Sequence, residues 1–370
     1  MKQLLKAWNS VTTQKTEKIT RNIVRAGKIF AIALFVFCLS CSDNSNPADL
    51  TLIPVQSGNK WGFINKKGEY VINPQFDNVF FFRDGIAKVV SSDGKIGFIG
   101  KDGKYIITAQ YEEATPFIEG LAFVVPEGGY PICIDKTGKT KFELKQAMAV
   151  CAFSDGLALF SDEEFKSGFV DKSGKIVINP QFDDANPFSE GLAAVEQDNK
   201  CGFIDKKGKF VITPQFDRVG DFVDGLARFS NGGQVGYVDT KGNYVINPQF
   251  DDAGDFCEGL AWVRSGKLYG YISKDGKIEI NPQFDDAADF QNGLALIKQS
   301  NKYGFINKQG KIEINPQFES ASSFFGDIAM VKSAGKWGII DKKGKYLVNP
   351  QFDFMKTLAG KTFSVRSDIY

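Results

Sequence analysis

The sequence predicts an all-β protein made of tandem repeats, and three observations support this prediction. The phrase "NPQFD" begins at residues 73, 179, 247, 281 and 349, with the variants "TPQFD" at 213, "NPQFE" at 315 and "TAQYE" at 108. The prolines of the last six copies are spaced by 34 residues. Short apolar runs that alternate with glycine-containing turns are typical of β-hairpins. Self-similarity at a fixed period indicates one elongated domain.

The first two strands of each unit form a predicted hairpin. In the unit that begins near residue 268, "YGYIS" at 269–273 alternates with period two, which indicates a strand. The turn "SKDGK" follows, and its Gly276 supplies the positive φ that a short hairpin turn needs. On the returning strand, Ile278 and Ile280 are expected to face the core, and Glu279 is expected to face solvent.

The phrase itself is expected to end the second strand. Pro282 lacks the N–H that a central ladder requires, so the strand is predicted to stop at the phrase. A third strand, "GLALI" at 293–297, then follows. Each unit is therefore predicted to be a three-stranded β-meander that stacks on its neighbours in an elongated solenoid. A closed β-propeller is the alternative, and three strands fit its four-stranded blade poorly.

Nine such units are predicted within residues 55–357. They begin near residues 60, 95, 130, 167, 200, 234, 268, 302 and 336. The third unit, about 130–166, keeps the turn but loses the phrase, so it is degenerate. Residues 358–370 form a C-terminal tail.

The amino terminus has the pattern of a bacterial signal peptide. Residues 29–40 form an uncharged apolar run, which as a helix spans ~18 Å, short of the ~30 Å hydrocarbon core. "CLSC" resembles the lipobox of bacterial lipoproteins, which implies a signal peptide over 1–40 and a lipid on Cys41. Residues 41–54 are then a flexible tether, and the chain is expected to be lipid-anchored in the bacterial cell envelope. The membrane face and the translation start, Met1 or near Val24, stay open.

Composition argues against several classes of function. The chain has no histidine, so the commonest general base and metal ligand are absent, and no catalytic motif occurs. The four cysteines beyond Cys41 form no CxxC pair; a bridge between Cys133 and Cys151 stays open. Residues 1–40 carry a net charge of +6, which leaves −5 for the rest of a chain whose total is +1. We expect no enzyme activity, no cofactor, no metal site and no nucleic-acid partner.

The candidate ligand-facing residues are aromatic side chains at positions that vary between units. They are Trp61, Trp262, Tyr269, Tyr303 and Trp337. Aromatic faces at these positions suit a glycan or a peptide, and packing inside the array explains them as well.

The stretches "KWGFINKKGEYVINPQFD" and "KWGIIDKKGKYLVNPQFD" resemble the WG-repeat family of bacteria, named for its Trp-Gly pair. The resemblance covers about residues 55–355. It implies an all-β repeat fold and an interaction role at the cell envelope, without catalytic residues. The expected function is thus an envelope-anchored scaffold for an unknown protein partner, and the rival expectation is binding of carbohydrate or peptidoglycan.

Overall fold

A computed structural model describes residues 48–356, and every regular element within that range is a β-strand. In this part of the chain no helix is long and apolar enough to cross a membrane. The predicted signal peptide, Cys41 and the C-terminal tail lie outside the described residues. The segment 41–54, predicted as a tether, overlaps the fold, because Leu52 and Ile53 are buried.

The strands form nine four-stranded antiparallel sheets, which we call blades 1 to 9. Blade 1 contains β36 (Phe354–Met355), β1 (Ile53–Ser57), β2 (Lys60–Ile64) and β3 (Tyr70–Phe76); blade 2 contains β4 (Asn78–Val79), β5 (Ile86–Val90), β6 (Ile96–Gly100) and β7 (Tyr105–Tyr111); blade 3 contains β8 (Glu113–Ala114), β9 (Leu121–Val125), β10 (Ile132–Asp135) and β11 (Thr140–Glu143). Blade 4 contains β12 (Ala149–Ser154), β13 (Leu157–Ser161), β14 (Ser167–Asp171) and β15 (Ile176–Phe182); blade 5 contains β16 (Asp184–Ala185), β17 (Leu192–Gln197), β18 (Lys200–Asp205) and β19 (Phe210–Phe216); blade 6 contains β20 (Arg218–Val219), β21 (Leu226–Asn231), β22 (Gln234–Asp239) and β23 (Tyr244–Phe250). Blade 7 contains β24 (Asp252–Ala253), β25 (Leu260–Ser265), β26 (Leu268–Ser273) and β27 (Ile278–Phe284); blade 8 contains β28 (Asp286–Gln291), β29 (Leu294–Gln299), β30 (Lys302–Asn307) and β31 (Ile312–Phe318); blade 9 contains β32 (Ser320–Ala321), β33 (Ile328–Ser333), β34 (Lys336–Asp341) and β35 (Tyr346–Phe352). We call the strands of each blade a, b, c and d in this order, from the axis of the ring outward.

The array closes into a ring, so the predicted solenoid is wrong and the alternative, a β-propeller, is the fold. β36, from the end of the described chain, pairs with β1 through Val55↔Met355 and Gln56↔Phe354 and completes blade 1. Blade 9 also packs on blade 1, because a Cβ on Gly68 would lie 2.9 Å from a methyl group of Val348. First and last units are therefore neighbours.

Each blade has four strands where three were predicted, because strand a is too short to show periodicity. In most blades it has two residues, as in Asp252–Ala253 directly after the phrase of the previous blade. One sequence repeat thus supplies strands c and d of one blade and strands a and b of the next. Because each repeat is shared between two blades, the first repeat leaves blade 1 without an inner strand a. Phe354–Met355, from the last repeat, supplies this strand and closes the ring.

The phrase does not end strand d, which runs through its proline to Phe76 in blade 1 and to Phe284 in blade 7. Strand d is the outer edge of its blade and pairs only with strand c, so the missing N–H of proline is tolerated there. The prediction for Ile278 was also wrong. Its side chain is 54% exposed at the rim, whereas Ile280 is buried as expected.

The hydrophobic core lies between blades and is built largely from phenylalanine. The Phe after the Trp-Gly pair contacts the Phe of the a–b loop in the next blade, as in Phe63–Phe82 at 4.9 Å and Phe203–Phe222 at 4.7 Å between ring centroids. Tyr237 and Tyr271 take the first position of this pair in blades 6 and 7. Each repeat therefore buries its apolar face only when its neighbour is present.

Contacts between loops define two ends of the ring. At one end, the b–c turns lie beside the loops that join strand d to the next strand a, as Asp353 accepts a hydrogen bond from Gly58 N at 3.1 Å. We call it the b–c end. At the other, the c–d turns lie beside the a–b loops, as Lys274 pairs with Asp224 at 2.8 Å. We call it the c–d end.

Candidate functional site

A repeated hydrogen-bonded staple closes most of the b–c end and gives the aspartate of the phrase a structural role. Asp183 accepts one bond from Lys166 Nζ at 2.5 Å in its own blade and one from Asp198 N at 2.9 Å in the next blade. These two bonds, first the one from Lys166, lower the pKa of Asp183. Because the carboxylate joins consecutive blades, the aspartate of the phrase helps to build the ring.

Blade 6 departs from this staple at several positions, and an open depression lies there. Gln234 stands at the position where six blades have lysine and blade 7 has Leu268. Val235 stands before glycine where blades 1, 7, 8 and 9 have Trp or Tyr. The depression has a volume of about 560 Å³. Its lining residues come from blades 5, 6 and 7 and their connecting loops: Asn199, Asp217, Arg218, Ser230, Gly233, Val235, Asp251, Asp252 and Arg264.

The depression presents charges of both signs, and its geometry is fixed by backbone contacts. Arg264 donates to Gly266 O at 3.1 Å and to Asp251 O at 3.2 Å. The Asp251 carboxylate accepts from Gly266 N at 2.6 Å, and Asp252 lies opposite Arg264 in the strand register. Because Arg264 is held by two carbonyl groups, its guanidinium edge and the neighbouring carboxylates form a preorganised charged surface.

A buried polar network lies near the axis in blades 6 and 7. Arg228 and Asp255 have side chains that are 3% exposed, and Arg228 Nε lies 3.1 Å from Asp255 Oδ1. Arg228 also donates to Ala253 O at 2.9 Å, and Tyr237 Oη donates to Gly254 O at 2.7 Å. Burial raises the pKa of Tyr237 well above its ordinary value. The network ties strand b of blade 6 to strand a of blade 7, which borders the depression.

Within residues 48–356 no group of three or more Cys, Asp or Glu side chains is arranged to hold a metal ion. Cys133 is a free, buried thiol, so the bridge to Cys151 that the sequence left open is not formed. Burial raises the pKa of Cys133 to about 12, which keeps it protonated at neutral pH.

Comparison with known families decides the identity of the repeats. The WG containing repeat matches eight times, at residues 61–95, 96–130, 168–201, 202–234, 236–269, 269–303, 303–337 and 337–365. The chain belongs to the WG-repeat family. The unmatched stretch between residues 130 and 168 is the degenerate third unit, which nevertheless contributes four strands to the ring.

Solved structures show the fold of this WG-repeat protein. A crystal structure titled as the eukaryotic initiation factor is 10% identical, with a TM-score of 0.61, over 84% of this chain and 97% of that chain. The designed Ika8 protein and BamB from Moraxella catarrhalis have TM-scores of 0.46 and 0.40 at 10% and 12% identity. They cover 81% of this chain and 98% and 94% of their own, and at these scores they add nothing further. A search of curated proteins returned no match.

The glycine of the WG pair is required by the strand that carries the phrase. A Cβ on Gly62 would lie 2.4 Å from Ile72 O and 2.7 Å from Pro74 N. The register between β2 and β3 shifts at this point, so strand d bulges over the glycine. WG and NPQF are thus two halves of one packing contact.

The structure brings together two of the five predicted aromatic residues across the ring closure. Trp61 and Trp337 lie 5.7 Å and 6.0 Å from the same ring, Phe354, although 276 positions separate them in the sequence. Both indoles are buried, at 8% and 6% exposure. They fill the cores between blades 1 and 2 and between blades 9 and 1.

The other three predicted aromatic residues are half-buried. Trp262 lies over Gly254 near the axis, and its ring is 5.5 Å from Tyr269. Tyr303 has Lys298 Nζ 5.4 Å from its ring centroid. None of the five lines the depression. The sequence analysis did not predict the depression. The feature that could have indicated it is that Gln234 and Val235, two adjacent residues, both differ from the repeat consensus.

Proposed function

We propose that this WG-repeat β-propeller is a non-catalytic, envelope-anchored protein that binds a protein partner at the depression of blades 5 to 7. One observation supports the proposal. Residues that differ from the repeat consensus lie together at the depression, whereas Lys–Asp staples close other parts of the b–c end. A ligand role at one place requires side chains that differ from the repeat there. Arg218 and Val235 line the depression and meet this requirement, and Gln234 adjoins it in the sequence.

The chemistry of the depression favours a protein segment over a glycan. Sugar rings stack on exposed aromatic faces, and the lining residues include no aromatic side chain. Trp61 and Trp337 are core residues with little surface to offer. Carboxylates and guanidinium groups in one opening suit a polar segment that carries both charges.

Envelope anchoring is supported by the sequence "CLSC", which ends at Cys41. Labelling of growing cells with an alkyne-bearing palmitate analogue tests it directly. The lipid is expected on the full chain and absent from Cys41→Ser. Equal labelling of both forms would remove this part of the proposal.

Partner binding is tested with a photo-crosslinking amino acid at Gln234, which adjoins the depression. The matched control is Lys302, which begins strand c of blade 8 and is equally exposed. Protein adducts are expected at Gln234, absent at Lys302, and lost when Arg264→Glu is added to a variant whose circular dichroism is unchanged. Equal adducts at both positions would contradict binding of a protein at the depression. Quenching of tryptophan fluorescence by purified cell-wall glycan would favour the rival hypothesis, carbohydrate binding.

A further inference from the structure

The c–d end carries a ring of lysines, which we call the lysine crown. Seven of the nine c–d turns place a lysine directly after the turn glycine, and all seven are exposed: Lys104, Lys139, Lys175, Lys209, Lys277, Lys311 and Lys345. Blades 1 and 6 have Glu69 and Asn243 there. The chain beyond residue 40 has a net charge of −5, so the crown is a local concentration of positive charge.

Exposed apolar side chains lie immediately beside the crown. The first two residues of the d strands supply eleven of the sixteen exposed large hydrophobic residues in residues 48–356, among them Tyr70, Tyr105, Tyr244 and Ile278. Tyrosine prefers the interface between water and a bilayer, because its ring is apolar and its hydroxyl is polar. In blades 2, 7 and 8 a crown lysine is followed directly by an exposed Tyr105, Ile278 or Ile312 at the outer edge of this end.

Most acids of the a–b loops at this end are paired with other lysines. Two acids of the c–d turns contact crown lysines, Asp275 with Lys277 at 3.2 Å and Asp102 with Lys104 at 3.9 Å. The first lysine of a c–d turn contacts the acid of an a–b loop, as in Lys172–Glu119 at 2.7 Å and Lys308–Glu258 at 3.2 Å. These pairs neutralise acids that lie further toward the axis than the crown. The crown lysines directly precede the outermost strands, so they place positive charge at the perimeter of this end.

The chain enters the ring at this end. Asp49 donates its N–H to Phe82 O of an a–b loop at 2.7 Å, and its carboxylate contacts Lys101 of a c–d turn at 2.5 Å. Ala48 lies only seven positions after Cys41, and an extended chain over seven positions reaches at most ~25 Å. A lipid on Cys41 would hold the c–d end close to the bilayer.

We infer that the c–d end docks on the surface of an anionic phospholipid bilayer. The crown lysines meet the phosphate headgroups, and the tyrosines and isoleucines at the starts of the d strands enter the interfacial layer. The b–c end, with its depression, then faces away from the membrane toward a partner. This inference rests on the proposed anchoring at Cys41, and it adds the orientation of the ring and the lipid class that it contacts.

The experiment measures which end of the anchored protein lies at the membrane. Full-length protein purified from the expressing cells is mixed with vesicles of phosphatidylcholine that contain about 30% phosphatidylglycerol, an anionic surface. One environment-sensitive fluorescent amino acid is placed at Gln309 or at Lys302, which lie near opposite ends of the same strand, ~20 Å apart. Brominated phosphatidylglycerol is expected to quench the probe at Gln309 at least about threefold more than the probe at Lys302.

Matched charge-reversal variants distinguish docking through the lysine crown from nonspecific electrostatic attraction to the vesicles. Lys311→Glu with Lys345→Glu is expected to abolish the difference in quenching, and about 0.5 M salt is expected to do the same. Lys267→Glu with Lys302→Glu, at the b–c end, is expected to leave the Gln309 signal unchanged. Equal quenching of both probes in protein that floats with vesicles overturns the inference and leaves the anchoring intact. Flotation only with anionic vesicles, sensitive to salt, supports the crown and refutes the lipid anchor, whereas no flotation refutes both.

Discussion

The indole nitrogen of Trp262 lies over Gly254 so closely that a Cβ on this glycine would be 2.2 Å from it. The next blade has Ala288 and Leu296 at the equivalent positions, and the preceding blade has Gly220 beneath Arg228. In blades 6 and 7 the large side chain on strand b is thus matched by a glycine just after strand a of the same blade. This complementarity decides which aromatic and charged residues the centre of the ring accepts.

Gly254→Ala is therefore expected to lower the free energy of unfolding by ~1–3 kcal/mol, because the indole must move. In a Trp262→Leu background the same substitution is expected to cost less, since Ala288 and Leu296 coexist in blade 8. Urea denaturation followed by circular dichroism measures the coupling. Equal costs in both backgrounds would contradict this account.

Gly62→Ala tests the packing of the WG pair on the phrase. The added Cβ would meet backbone atoms of Ile72 and Pro74, which cannot move aside as a side chain can. We expect a loss of about 2–4 kcal/mol, in the range of severe overpacking. Gly100→Ala is the control, because its Cβ would lie 3.1 Å from the exposed Asp102 carboxylate, and a change within about 0.5 kcal/mol is expected there.

Asp353→Asn is expected to loosen the closure of the ring. Bonds from Lys336, the larger cause, and from Gly58 N lower the pKa of Asp353. Its stabilising effect is present above the unfolded pKa near ~3.9 and is lost as pH falls through the lower folded value. Amide hydrogen exchange in β1 is expected to be faster in the variant at pH 7, and the difference is expected to vanish as pH falls below the lowered pKa of Asp353. Asp183→Asn, an internal staple, is expected to leave β1 unchanged.

Lys88 is expected to make stability rise with pH above neutrality. Burial, followed by repulsion from Lys356 and opposed by Glu113, lowers the pKa of Lys88 to about 8. Its ammonium lies 4.0 Å from the Phe80 ring centroid. Because the unfolded chain holds this proton up to a pKa near ~10.4, the unfolded state binds more protons between the two values, which favours folding as pH rises.

The measurement for Lys88 is the thermal midpoint of the protein and of Lys88→Met between about pH 7 and 9.5. The advantage of the natural protein over the variant is expected to grow across this range. Subtracting the variant removes the contributions of tyrosines and of lysines that do not interact with Lys88. A difference that is flat with pH would show that Lys88 titrates normally in the folded state.

The parts of the fold that depend on residues adjacent in the sequence could be predicted from the sequence. The hairpin turn is an example, because Gly276 has φ +81° as the turn required. The buried face of strand d was half right, since Ile280 is buried and Ile278 lies at the rim. Periodicity identifies a strand and its alternation, but it does not show where the edge of a sheet is exposed.

The candidate site was less accessible to prediction. The five aromatic residues were chosen as if the array were open, with Trp61 and Trp337 near its two termini. In the ring they share Phe354, and their exposure is small. The depression escaped notice because its lining comes from three consecutive blades, and its charged residues are ordinary when each repeat is read by itself.

The sequence by itself determined the repeat, its period, the hairpin turns and the composition of the inter-blade core. These follow from local rules, since glycine permits positive φ and side chains alternate along a strand. Tertiary structure alone decided that nine units close. Closure depends on small rotations between blades that accumulate around the ring, and on the two-residue strand Phe354–Met355, which is too short for any pattern to reveal. It also decided which departures from the repeat become neighbours.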